Sequence, residues 1–293
     1  MTTKDTDSNA VQEAPGGLPK GSDVPVRSPA TSSKAVGVLA DTTRDTMTLH
    51  TLEAYRLFTG RPADAANDVP PIPGGRRFAA VLKSLWHLSA HDNPYADWIL
   101  IRMNDGLAAA RTQLAEAIAL REAQLERLKR RGLAIAIMAS RAPLTVELTF
   151  RSPYGYATAD TIVEFDYHVR MVKTLVLKDR LSDTEGRAAI RTVGRTLRAL
   201  FLEPIRWERH LLSEELRPLC RNDFLPGADA RAGQRVRAAA ALFGEVPAAV
   251  FTGADVPRHS QRRVTLTEAE LRLLAQVSTA SAEEFEQADA GLL

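Results

Sequence analysis

Cysteine is nearly absent from this chain, since Cys220 is the single one among 293 residues. One thiol cannot form an intramolecular disulfide, which favours a reducing compartment. Long apolar runs are also missing. The longest, residues 133–139, is far shorter than the roughly 20 residues that a membrane-spanning helix needs. The polar, acid-containing N-terminus does not have the pattern of a secretory signal. We therefore expect a cytoplasmic protein without a membrane segment.

The chain also has little net charge. Its formal charge is +2, which excludes a globally basic nucleic-acid coat protein. Hydrophobic residues make up 45% and charged residues 25%, so a sizeable core can form. The cations are mostly arginine, and they cluster. Arginine presents a planar fork of donors that fits phosphate and guanine edges.

Catalytic motifs are not recognisable in the sequence. It contains no glycine-rich phosphate loop, no nucleophile elbow and no paired cysteines. The histidines show no metal-ligand spacing with Cys220. We expect that the protein is not an enzyme and needs no cofactor.

Composition and periodicity divide the chain into three parts. Residues 1–42 are rich in small and polar residues and are predicted to be a disordered tail. Residues 43–277 are predicted to form a mostly helical domain, and residues 278–293 a flexible acidic tail. Within the domain, periodicity favours a long helix from Pro94 with a break near residues 104–106, and it cannot decide between strand and helix for residues 133–139. Pro204 is expected to end one helix, and the next is expected over residues 208–216.

A strand followed by two helices is predicted at about residues 142–203. Apolar and polar residues alternate from Leu144 to Phe150, as in a half-buried strand. A helical stripe follows over residues 157–180, and Ser182 with Glu185 forms the capping box of a second helix. The predicted fold class is mainly α with a short β-strand element, a ribbon-helix-helix-like core embedded in additional helices.

The polar face of this strand is the first candidate site. In DNA-binding ribbons, two chains pair their strands and the outward residues meet base edges in the major groove. An ordinary strand paired with residues 46–50 of the same chain is the alternative. The outward residues of the predicted strand are Thr145, Glu147, Thr149 and Arg151.

The start of the second helix is the next candidate. Helix N-termini bind anions, and arginines near Ser182 and Thr184 would complete a phosphate clamp. A capped helix with a solvated arginine face is the alternative. The arginines in question are Arg180, Arg187 and Arg191, and Arg187 and Arg191 share one helical face with Arg195 and Arg198.

Three blocks of sequence resemble a known family. The stretch DTMTLHTLEAYRLFTGR at residues 45–61 resembles the opening block of a family of integrating conjugative element proteins, which includes the conjugative-plasmid transcriptional activator AcaB. NPYADW at residues 93–98 is similar to the second block, and SPYGY at residues 152–156 with FDY at 165–167 and residues 181–201 to the third. The resemblance covers roughly residues 45–250 and implies a regulator of conjugation genes with a ribbon-helix-helix-like DNA-binding element.

Two functions follow from these patterns. The first is a sequence-specific DNA-binding transcriptional regulator of conjugative-transfer genes on an integrating mobile element, acting as a homodimer on double-stranded DNA, with other transcriptional regulators or RNA polymerase as further partners. The second is a non-enzymatic helical scaffold or adaptor of the conjugation machinery. The near-neutral net charge and the long predicted helices support this function. The adaptor predicts no salt-dependent DNA affinity.

Overall fold

Four long helices contact one another in every pairing and carry most of the buried apolar side chains. The computed structural model describes residues 43–262 and 267–276, and its compact unit begins at Arg44. The core helices are α2 (Gly75–Ser89), α3 (Pro94–Arg130), α4 (Pro153–Leu177) and α5 (Asp183–Leu211). Around them lie β1 (Thr46–Leu49), α1 (Leu52–Thr59), β2 (Leu144–Glu147), α6 (Ala230–Phe243), α7 (Ala248–Thr252) and a last helix, α8, at residues 268–276.

The predicted strand-helix-helix order is present. Pro94 and Pro153 occupy the first turns of α3 and α4, where a missing N–H costs nothing. The capping box at Ser182 forms as predicted and starts α5. The apolar stripes of α4 and α5 meet the rest of the core, where the Phe201 ring lies 4.7 Å from that of Phe78. The architecture is therefore mainly helical with a two-stranded antiparallel sheet.

The predicted break in α3 is wrong. The helix runs for 37 residues without interruption through Gly106. A Cβ at this position would lie 2.5 Å from Cδ1 of Leu200, so the glycine permits close approach of α3 and α5. Tertiary packing outweighs the low helix propensity of glycine here.

The predicted helix end at Pro204 is also wrong. α5 continues through this residue to Leu211, so no separate helix spans residues 208–216. Pro204 removes one backbone hydrogen bond. Buried Phe201 and Trp207 hold the helix against the core on either side of it, which offsets that loss.

Residues 133–139 are neither strand nor helix. The Met138 N–H donates to Thr174 Oγ1 at 2.9 Å, and Arg170 Nε donates to the Met138 carbonyl at 2.8 Å. Side chains of α4 therefore satisfy part of this backbone, in place of a β-ladder.

The C-terminal part of the unit is attached through a buried arginine. Arg221 follows α5, and its guanidinium reaches Asp92 and Asp97 at 2.7 and 2.8 Å. It also donates to the carbonyls of Val250 and Phe251 in α7. One side chain thus joins α7 to the start of α3.

The two predicted tails, residues 1–42 and 278–293, lie outside the described residues. Among the residues that are described, no helix is long and apolar enough to cross a membrane.

Candidate nucleic-acid interface

β1 and β2 form an antiparallel ribbon within one chain. Thr46 pairs with Glu147, Met47 with Val146, Thr48 with Thr145 and Leu49 with Leu144. The partner of β2 is therefore the segment near residue 46, the alternative that the sequence left open, rather than a second chain. The strands pair because Met47 and Leu49 are buried against the core while their neighbours remain exposed.

The outer face of this ribbon is polar. Residues directly opposite in an antiparallel pair share one face, so Thr145 and Glu147 stand beside Thr48 and Thr46. The Glu147 carboxylate accepts a hydrogen bond from Arg44 Nη1 at 2.7 Å. This exposed ion pair places an arginine beside the one acidic group of the face. The face therefore presents three hydroxyls and one neutralised carboxylate.

Thr149 and Arg151 lie beyond the end of β2. The predicted strand to Phe150 is too long, since β2 ends at Glu147 and only the Leu148 N–H extends the ladder, bonding the Asp45 carbonyl at 2.8 Å. Arg151 is exposed and directly precedes Ser152, the N-cap of α4. Both residues lead away from the ribbon toward the start of α4.

The ribbon is fixed to α4 by a buried carboxylate. Asp166 Oδ1 accepts hydrogen bonds from the backbone N–H groups of His50 and Thr51 at 3.0 and 2.8 Å. Tyr156 of α4 donates its hydroxyl proton to Asp45 at 2.5 Å, just before β1. The ribbon is therefore held at both ends of β1 by one helix.

The start of α5 is occupied by its own side chains. The Glu185 carboxylate accepts from the backbone N–H and hydroxyl of Ser182, which lower its pKa. Asp183 lies 3.8 Å from Arg187. Thr184, Arg180 and Arg191 are exposed, but the two acids put negative charge where a phosphate would bind.

The two candidate sets are far apart. The ribbon leads into the N-terminus of α4, and the α5 start follows its C-terminus. A 25-residue helix is about 37 Å long at about 1.5 Å per residue. No hydrogen bond or ion pair between described residues joins Arg151 to the Ser182 region. The structure therefore does not bring the two sets of residues together in one compact site.

Residues 46–50 were the alternative partner of the strand, but Thr46 and Thr48 were not among the candidate site residues. Thr46 and Thr48 show the same alternation as β2, and that pattern was a usable signal. The sequence did not mark Asp166 as a residue that attaches the ribbon, because an acid in a predicted helix is usually solvent-exposed.

A known protein family matches most of this chain. A sequence model of the family described as "Transcriptional regulator AcaB" matches residues 35–263. No curated protein matches the chain. The crystal structure of selenomethionine-containing AcaB from uropathogenic E. coli is similar at 15% sequence identity with a TM-score of 0.40, covering 80% of this chain and 96% of that one. Since the family match spans most of its length, the chain belongs to the AcaB family of transcriptional regulators.

Proposed function

We propose that this regulator acts by binding duplex DNA with the β1–β2 ribbon. The observation that carries the proposal is the outer face of the ribbon, where three threonine hydroxyls surround a carboxylate paired with Arg44. Strands in an antiparallel ribbon are about 5 Å apart, so two of them fit the major groove, which is about 12 Å wide. Because both strands come from one chain, a single protomer carries a complete ribbon.

Readout of sequence is assigned to the ribbon and the residues that follow it. Thr145 and Thr149 offer hydroxyls that donate or accept, and Arg151 offers a fork for guanine. Glu147 would accept from cytosine N4 only after leaving Arg44. Backbone phosphates would position the ribbon without specifying sequence.

A homodimer would bring two ribbons to two half-sites. Dimeric readers place these half-sites about one helical turn apart, roughly 34 Å, so the operator would be palindromic. We place the target promoters among conjugative-transfer genes of an integrating element. RNA polymerase or another regulator would then be the protein partner.

The test is selection of an operator from a library of random duplexes, followed by titration across a salt series. Arg151→Ala is expected to weaken the selected site by about 1–3 kcal/mol and to leave scrambled DNA unaffected. Arg231→Ala, which removes an exposed arginine of α6, is the matched control and should change neither affinity. Equal loss on both DNAs would refute the role of Arg151. Failure to select any sequence would refute the DNA-reading function.

A helical adaptor is the second candidate. The C-terminal half of α3 carries mostly exposed residues, and Leu120 there is 62% exposed. An exposed helix with apolar side chains fits a protein partner. Salt-independent, weak binding to every duplex would favour this function over DNA reading.

A further inference from the structure

The exposed side of α5 carries a row of arginines longer than the sequence suggested. Because the helix does not end at Pro204, two more arginines lie on the same side as the row of four, after an interval in which the exposed Leu202 occupies that side. At about 100° per residue, all six fall within an arc of about 100° and extend over about 33 Å. This arginine stripe consists of Arg187, Arg191, Arg195, Arg198, Arg206 and Arg209, all of them exposed.

Few of these cations are neutralised. Arg187 lies 3.8 Å from Asp183, and Arg198 donates to the Gly194 carbonyl of its own helix. The other four make no hydrogen bond or ion pair with any described residue.

The other acidic residues of α5 pair with groups outside the arginine stripe. Glu203 pairs with Arg102 of α3, and Glu208 accepts from Arg77 of α2 at 2.5 Å. Glu185 caps the helix. At about 100° per residue, none of these three acids falls within the arc of the stripe.

Such a row is unfavourable by itself. Like charges at spacings of three and four residues repel by a few tenths of a kcal/mol per pair. A polyanion removes this repulsion, and duplex DNA carries one charge per roughly 1.7 Å of its axis. The stripe is about as long as one turn of B-DNA, which is roughly 34 Å. Arginine rather than lysine is the cation that bonds phosphate oxygens in pairs.

We propose that the arginine stripe of α5 binds the phosphate backbone of duplex DNA, separately from the ribbon. This inference rests on the proposed DNA-binding function. It assigns sequence selection and sequence-independent affinity to two different surfaces. The ribbon selects sequence, whereas the stripe supplies affinity that is independent of sequence. The two surfaces belong to different elements, because the ribbon leads into the N-terminus of α4 and the stripe lies along α5, which runs back beside α4.

The test compares two triple variants in a salt titration. Arg191→Gln, Arg195→Gln and Arg206→Gln together remove three unpaired cations of the stripe. Arg127→Gln, Arg130→Gln and Arg131→Gln remove the same charge from the exposed C-terminal end of α3. Both keep good helix-forming residues, and circular dichroism checks that each folds as the wild type does.

The stripe variant is expected to bind about tenfold or more weakly, equally on selected and scrambled DNA. The slope of log K against log salt should become shallower by about 0.9 for each phosphate that the variant no longer neutralises, about 3 in all. The α3 variant should keep the wild-type slope. An unchanged slope in the stripe variant, or an equal change in both variants, would overturn the inference. Wild-type protein that binds no duplex would refute the proposed function itself, which is a different outcome.

Discussion

The hydroxyl of Thr51 donates to Oδ1 of Asp166 across 2.7 Å, although the two residues are 115 positions apart in the sequence. The same oxygen accepts two backbone N–H groups, so one carboxylate joins the β1–α1 turn to α4. Together with the Tyr156–Asp45 hydrogen bond, this carboxylate attaches both ends of β1 to α4.

Asp166→Ala should destabilise the fold strongly. It leaves three donors without their acceptor, and hydrogen bonds to a charged group contribute about 1.5–3 kcal/mol each. We expect a decrease of about 3 kcal/mol or more in the free energy of unfolding, measured with urea. Asp105→Ala, an exposed site on α3, should change it little. Equal effects of the two variants would contradict the anchoring role of Asp166.

The second prediction concerns His168 in α4. Burial lowers the pKa of this imidazole to about 4, and the positive charge of Arg121 acts in the same direction. The unfolded chain, with an ordinary pKa near 6.5, therefore binds the proton more tightly. The contribution of His168 to stability is complete above about pH 6.5 and is lost as the pH falls toward 4, by up to about 3 kcal/mol.

His168→Gln should remove this part of the pH dependence. The free energy of unfolding is measured by urea denaturation from pH 7 to pH 4 for both proteins. The wild-type curve is expected to fall more steeply below pH 6.5. Parallel curves would show that His168 does not titrate abnormally.

The third prediction concerns the buried charges around Arg221. Asp92 accepts from Arg221 and also lies 2.8 Å from Arg262, while Asp97 accepts from the hydroxyl of Ser89. Burial raises the pKa of Asp92, so the cluster depends on its cations to keep this carboxyl ionised. Arg221→Met leaves Asp97 without its cation and Asp92 with Arg262 alone, and it should cost about 3–5 kcal/mol in urea denaturation.

Two further variants isolate the cause of that destabilisation. Arg217→Met, at an exposed site four residues earlier, should have little effect. Adding Asp97→Asn to Arg221→Met should restore part of the stability, because it removes the carboxylate that has lost its cation. No recovery would indicate that the effect is one of packing alone.

The fourth prediction contrasts two glycines. A Cβ on Gly74 would lie 2.3 Å from the Gly60 nitrogen and 2.5 Å from the Phe58 carbonyl, both backbone atoms. Gly233 in α6 has only the flexible Arg237 side chain within reach, at 3.5 Å. Gly74→Ala should destabilise by about 1–3 kcal/mol or more, whereas Gly233→Ala should stabilise by about 0.5–1 kcal/mol. Thermal unfolding measures both, and changes of the same sign would contradict this explanation.

Local patterns predicted local structure well. The alternation around Val146 is a strand, and the capping box at Ser182 starts a helix, since both depend on neighbours within a few residues. The predicted helix break at Gly106 and helix end at Pro204 were wrong, because packing with distant residues outweighs helix propensity at both positions.

Contacts distant in sequence could not be predicted. The charge network of Arg221 joins residues 129 positions apart, and no periodicity marks such a pairing. For the candidate site, the outward polar set of β2 was recognisable, but its partner strand remained one of two alternatives. The length of the arginine stripe depended on whether α5 continues through Pro204, which only tertiary packing decides.

The ribbon joins segments that are made at different times. Arg44 and Glu147 are 103 positions apart, so at roughly 5–20 residues per second the first strand leaves the ribosome about 5–20 s before its partner. Met47 and Leu49 have no strand beside them during that interval. A fragment restricted to residues 142–203 would likewise carry half of the sheet. The proposed DNA-reading surface therefore cannot be transferred to another protein as a short segment. It forms only after the chain from β1 to α4 has been made and has folded.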